Sequence, residues 1–133
     1  ALPPIVRAGG LAPDRILALF PNLAERLERR GNELSGGEQQ MLAMARILRT
    51  GAKFMLLDEP TEGLAPVVVQ GIGRTLRQLK ALGFTILLVE QNLRFAATVS
   101  DRYYILDHGR VAEMVPAAEL AARRDRVQAY LGV

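Results

Sequence analysis

Leu34-Ser35-Gly36-Gly37-Glu38-Gln39-Gln40 and, about twenty residues on, Phe54-Met55-Leu56-Leu57-Asp58-Glu59-Pro60 decide how the 133-residue chain is read. The first segment is a helix start. Ser35 is a good N-cap, and Glu38 three residues later completes a capping box. Gly36 and Gly37 leave the first amides uncovered, so an anion can meet the positive helix end closely. In the second segment four apolar residues run straight into two adjacent carboxylates and a proline. That pattern predicts a buried strand over 53–57 with an acidic pair at its C-terminal end, where an open parallel sheet presents groups to a ligand. Taken singly, the first is an ordinary helix cap and the second an ordinary solvated loop. Their order and spacing make them specific.

Outward from these segments, the chain alternates helical and strand patterns. Residues 1–12 carry Pro and Gly and open without an obvious element. From Asp14, Ile16, Leu17, Phe20, Leu23 and Leu27 recur at helical spacing, interrupted by Pro21, which predicts two short helices or one kinked one. Arg29 to Asn32 reads as a turn into the Ser35 cap. The helix beyond runs to about Arg49, with Met41, Leu42, Ala45 and Leu48 inward and Gly51 as its stop. Thr61 to Ala65 is a loop, and Pro66 opens a helix carrying Val68, Ile72, Leu76 and Leu79. Gly71 and Gly73 weaken that helix, each by about 1 kcal/mol relative to Ala.

Phe84 to Val89 is a second apolar strand, followed at once by Glu90-Gln91-Asn92. Strand, helix, strand with near-continuous apolar strands predicts two buried strands in a right-handed βαβ unit of a parallel sheet. Leu93 to Val99 is a short helix. Tyr103 to Leu106 and Arg110 to Met114 flank Asp107-His108-Gly109, a hairpin turn signal in which His108 is a turn residue. Ala117 to Leu131 reads as a terminal helix with Leu120, Val127, Tyr130 and Leu131 available for packing.

Half the residues are apolar and 23% charged, an ordinary globular balance without the signature of disorder. Fifteen Arg and two Lys against 14 acidic residues give a net charge of +3, too weak and dispersed to argue for nucleic acid. The absence of cysteine excludes disulfides and thiolate metal sites, and a single histidine, His108, excludes His-pair metal sites. Apolar runs are strand-sized, short of a membrane span, and Ala1-Leu2-Pro3-Pro4 lacks the regions of a signal peptide. The expectation is a soluble, cytoplasmic chain.

The pairing of residues 34–40 with an apolar strand ending in Asp58-Glu59-Pro60 resembles the signature motif and Walker B of the ABC-type ATPases. The resemblance implies an α/β fold: the C-terminal part of a P-loop NTPase domain, with parallel strands, flanking helices, part of a helical subdomain and a C-terminal hairpin. It places the helical subdomain and signature helix at about 1–50, and Walker B, D-loop, switch loop and C-terminal elements at about 51–133. It implies ATP and Mg²⁺ as cofactors. Asp58 then holds Mg²⁺ through its water shell, and Glu59 is the general base for the attacking water. Ser35, Gly36, Gly37 and Glu38 meet the γ-phosphate of an ATP held by a second ATP-binding subunit, closed head to tail on this one. Glu62 to Ala65 matches the D-loop, although Ala65 stands where the family commonly has Asp. The family's switch histidine falls on Gln91, which donates a hydrogen bond but carries no proton near neutral pH.

Val89-Glu90-Gln91-Asn92 and Glu62-Gly63-Leu64-Ala65-Pro66 are similar to one subgroup, the ATP-binding subunits of branched-chain amino-acid importers, with urea and short-amide importers close by. That implies permease subunits and a periplasmic binding protein as further partners, and a place on the inner face of the plasma membrane. No G-x-x-x-x-G-K-[ST] occurs in the 133 residues. The resemblance therefore puts the Walker A and Q-loop upstream of Ala1, as for a C-terminal half or a truncated product that is inactive alone. Two other functions compete: a non-hydrolysing module that dimerises with an intact ATPase, and an ATPase head for DNA repair or ribosome work. The relatives of the last kind carry coiled-coil or basic insertions, and none is visible here.

Overall fold

The computed structural model describes residues 2–131, which fall into two units divided between Val89 and Glu90. In the first unit, α1 (Pro13–Leu19) and α2 (Pro21–Ala24) each begin on a proline, whose fixed φ and missing N–H suit a first helical turn. Pro21 does break the early helical pattern. Ile16, Phe20 and Leu23 are buried, whereas Leu27 lies in a turn and is 64% exposed. The predicted turn before Ser35 is a single 3₁₀ turn, Gly31–Glu33.

Helix α3 spans Gly36–Thr50, and both it and its boundaries follow from the sequence. Ser35 caps it, and Gly51 ends it at φ 88°, a conformation cheap only for glycine. Its buried face is Gly37, Met41, Met44, Ala45 and Leu48. Leu42, expected inward, is only half-buried and Met44 takes its place. The stripe of Met41, Met44, Ala45 and Leu48 keeps the i, i+3, i+4, i+7 spacing of a helix face, which Leu42 leaves. Helices α1 and α2 pack on α3, and α3 packs on α4 (Pro66–Ala81). Ile72, Leu76 and Leu79 form the inner stripe of α4.

Strands β1 (Phe54–Asp58) and β2 (Thr85–Val89) pair in parallel, with Asp58 opposite Val89. The predicted βαβ order is present, but at most alternate apolar residues of the strands are buried among the described residues. Met55 and Leu57 are buried, but Phe54 and Leu56 are 57% and 58% exposed. Leu87 and Val89 on β2 are exposed as well. Among the described residues each strand has one neighbour, and these alternate apolar side chains are not covered.

The second unit holds α5 (Leu93–Val99) and an antiparallel hairpin, β3 (Arg102–Asp107) with β4 (Arg110–Pro116). His108 and Gly109, at φ 46° and 74°, make the tight turn between Asp107 and Arg110. Ala96, Tyr103, Ile105, Val115, Leu120 and Val127 close a small core, with Leu93 and Leu131 against it. The tail is not one helix. A 3₁₀ turn, Ala117–Glu119, and further turns precede α6 (Arg124–Leu131). At the break Arg123 bridges Glu113 of β4 at 2.8 Å and Glu119, which ties the turn to the hairpin. Tyr130, expected to pack, is largely exposed.

Candidate functional site: an open helix start and a strand-end acidic pair

At the start of α3, Ser35 is extended (φ −62°, ψ 160°) and its Oγ accepts from the Glu38 amide at 3.4 Å. The Glu38 carboxylate accepts in return from the Ser35 amide at 2.8 Å and from the Ser35 hydroxyl at 2.9 Å. Arg26 reaches the other carboxylate oxygen at 3.2 Å. These contacts hold the Glu38 carboxyl below its ordinary pKa. The Ser35 backbone N–H contributes most and the Ser35 hydroxyl next; burial opposes them, and Arg26 adds a further lowering. Gln39 Nε2 donates to the Leu34 carbonyl at 2.9 Å and fixes the residue before the cap. Glu38 thus satisfies its own helix start, and the Gly36 and Gly37 amides are the remaining orphan donors.

The acidic pair is built differently. Asp58 is the last residue of β1, exposed, on the same face as Phe54 and Leu56. Glu59 leaves the strand in the left-handed region at φ 43°, unusual for a non-glycine residue. Its amide still donates to the Val89 carbonyl at 2.9 Å, so the turn away from the strand is pinned by β2. Pro60 and Thr61 behind it are buried. The chain then folds back, with Glu62 N donating to Glu59 O at 3.2 Å and Gly63 at φ 67°. Ala65 occupies the N-cap of α4 and supplies no side-chain acceptor.

The start of α3 lies against this loop: a Cβ at Gly36 would sit 3.4 Å from Leu64 Cδ2. Gln91 belongs to the second unit, where it is exposed and its carbonyl accepts from Leu93 N at 2.9 Å. The cap of α5 is Asn92, whose Oδ1 accepts from Phe95 N at 3.1 Å, while Glu90 Oε2 accepts from Asn92 N at 3.3 Å. Gln91 is therefore not the helix cap. His108 Nδ1 lies 2.7 Å from Asp107 Oδ1 in the hairpin turn, as a turn residue would. Sequence reasoning missed Arg26, twelve positions from Glu38 and joined to it only by folding; Asn92 was visible as a good N-cap before Leu93.

Among the described residues no three His, Cys, Asp or Glu cluster as a metal cage. A lone exposed carboxylate at a strand end fits Mg²⁺, which keeps most of its waters and takes one or two carboxylates beside substrate phosphates. Of the two glycines expected to leave amides open, Gly36 is exposed at the start of a fifteen-residue helix and fits an anion, whereas Gly37 is buried against Val68 of α4.

A family profile described as ABC transporter matches residues 14–62, which carry both segments. Together with the fold, this defines a partial ATP-binding cassette: the chain belongs to the ABC transporter family of ATP-binding proteins. Within it, the chain is 46% identical over 119 residues to the high-affinity branched-chain amino acid transport ATP-binding protein BraG of Pseudomonas aeruginosa. That match covers 90% of this chain and 51% of the relative. Identity is 42% over 121 residues to a probable branched-chain amino acid transport ATP-binding protein, LivF, of Archaeoglobus fulgidus, covering 90% and 51%. A solved ATP-binding cassette of an ABC transporter in its ADP conformation superposes with TM-score 0.75 at 28% identity, covering 90% of this chain and 48% of that one. The chain spans about half the length of the curated relatives it matches. No described helix is long and apolar enough to cross a membrane.

Proposed function

We propose that these residues belong to the ATP-hydrolysing subunit of an importer for branched-chain amino acids, working at the cytoplasmic face of the membrane with permease subunits and a periplasmic binding protein. The observation that carries the reading is the 46% identity to a branched-chain amino acid transport ATP-binding protein across nine-tenths of the chain.

In this reading, bound ATP with Mg²⁺ supplies the phosphoryl group and neutralises the charge that develops on it. Asp58 holds the metal's waters from the strand end. Glu59 takes the proton of the attacking water, and its left-handed backbone turns it out of the strand that carries Asp58. Ser35 Oγ and the Gly36 and Gly37 amides face the γ-phosphate of the nucleotide on a second ATP-binding subunit. The Glu38 carboxylate is anionic and already held by Ser35 and Arg26, so it shapes the helix end rather than touching phosphate. Gln91 hydrogen-bonds the γ-phosphate or the attacking water. The domain anatomy that goes with this reading is a helical subdomain to about residue 50, followed by Walker B, D-loop and switch segments.

The test is reconstitution of the complete subunit with its membrane components and binding protein in vesicles. ATP-driven uptake of leucine, isoleucine or valine, abolished by Glu59→Gln, is expected. Uptake of urea or a short amide in preference to these would overturn the substrate. Uptake that persists in Glu59→Gln would overturn the role of the acidic pair.

A further inference from the structure

Two glycines on facing helices are the strongest unexplained feature of the first unit. Glycine is a poor helix former, yet Gly37 sits in the first turn of α3 and Gly71 in the interior of α4. A Cβ on Gly37 would overlap Cγ1 of Val68 and lie 3.4 Å from Val68 Cβ and Cγ2. A Cβ on Gly71 would lie 3.4 Å from Met41 Cε. Gly37 and Met41 are four apart on α3, and Val68 and Gly71 are three apart on α4, so each pair shares a helix face. A side chain of α4 thus enters a notch in α3, and one turn along a side chain of α3 enters a notch in α4.

We propose that Val68 is a positioning residue: through Gly37 it keys the phosphate-facing start of α3 to the first turn of α4, directly behind the loop that follows Glu59. The proposal rests on the reading of the chain as an ATPase subunit. The two contacts differ in stiffness. Valine is restricted at χ1 and cannot swing aside, whereas the end of methionine adapts. The Val68–Gly37 contact therefore fixes the register, and the Met41–Gly71 contact follows it. Gly36 adds to the same seam, with Leu64 of the loop against it. Glycine at 37 is then required twice, for close approach of an anion and for room beside Val68.

The two requirements separate in a double variant of the complete subunit assembled with its partners. Gly37→Ala is expected to lower kcat at least about tenfold, with KM for ATP changing less than about twofold, because the nucleotide it serves is held elsewhere. Adding Val68→Ala removes the Cγ atoms that the new methyl would strike. The double variant is expected to return kcat to within about threefold of Val68→Ala alone and to recover the melting temperature lost in Gly37→Ala. Gly71→Ala is expected to have a smaller effect on both. A double variant that melts normally but turns over no faster than Gly37→Ala would overturn the proposal, leaving Gly37 needed for phosphate approach alone. A Gly37→Ala rate equal to the parent's would overturn it too. If the parent itself hydrolyses no ATP, the ATPase reading fails, and the melting cycle still decides the interlock: rescue in the double variant supports it, and additive losses overturn it.

Discussion

The start of α3 and the end of β1 each present polar groups at the tip of one element, and they are held by opposite means. At Ser35–Glu38 nearly every contact is local: cap, return bond and orphan amides come from four consecutive residues. At Asp58–Glu59 the bonds that place the strand end are long-range. The strand end exists because β1 pairs with β2, more than thirty residues later, and the Glu59 amide is pinned on the Val89 carbonyl. A local device survives small shifts of its surroundings. A non-local one moves when its neighbours move.

The comparison breaks or sharpens first at the acidic pair. In the complete subunit, Glu59→Gln should cut hydrolysis by about 10²- to 10⁴-fold, the usual range for a lost general base, with nucleotide binding kept. Asp58→Asn should weaken Mg²⁺-dependent nucleotide binding as well, since a metal-linked carboxylate acts on the bound state. Parallel ATPase and nucleotide-titration measurements check this; equal losses of affinity would show the roles to be misassigned.

Gln91 should come next. On the proposed role, Gln91→Ala should remove a hydrogen bond to a charged group, worth about 1.5–3 kcal/mol, and hence about 10- to 100-fold in rate. Gln91→His should keep activity and acquire a dependence on pH between about 6 and 7.5, from an imidazole of ordinary pKa about 6.5. A rate against pH that is flat in all three proteins, with Gln91→Ala unimpaired, would remove Gln91 from the site.

Smaller effects belong to the helix starts. Ser35→Ala should destabilise the fold by about 0.5–2 kcal/mol through loss of the cap. Ala65→Asp, at an N-cap with no side-chain acceptor, should stabilise α4 by a comparable or smaller amount. Thermal melting of both against the parent tests whether the two helix starts differ as described. The least is a pH effect at Glu38. Its folded pKa lies below the ordinary value of 4.5, so its contribution is present above that pH and is lost as pH falls through the folded value. Glu38→Gln should flatten the acid limb of a melting-temperature profile below pH 4.5. An unchanged limb would mean the Ser35 contacts do not form in solution.

Much of this was legible in the residues. Ser35 with Glu38, Pro66 at a first turn, Gly51 after a last one and Asp107-His108-Gly109 in a hairpin are all short-range signals, and each element appears where they put it. Errors fall where the outcome depends on a neighbour distant in sequence. Leu27 continues a helical spacing but lies in a turn and stays exposed. The terminal pattern breaks at 120–123, where Arg123 pairs with Glu113 on the hairpin.

By itself the sequence determined the order of elements, the capped helix start, the adjacent carboxylates and the family that combines them, because each depends on spacing along one chain. Tertiary structure decided the rest. It set Glu59 in a left-handed turn held by β2, and it gave Arg26 to Glu38. It also fitted Val68 against Gly37. These depend on which surfaces meet, and a one-dimensional pattern records that an apolar face needs cover without recording what provides it.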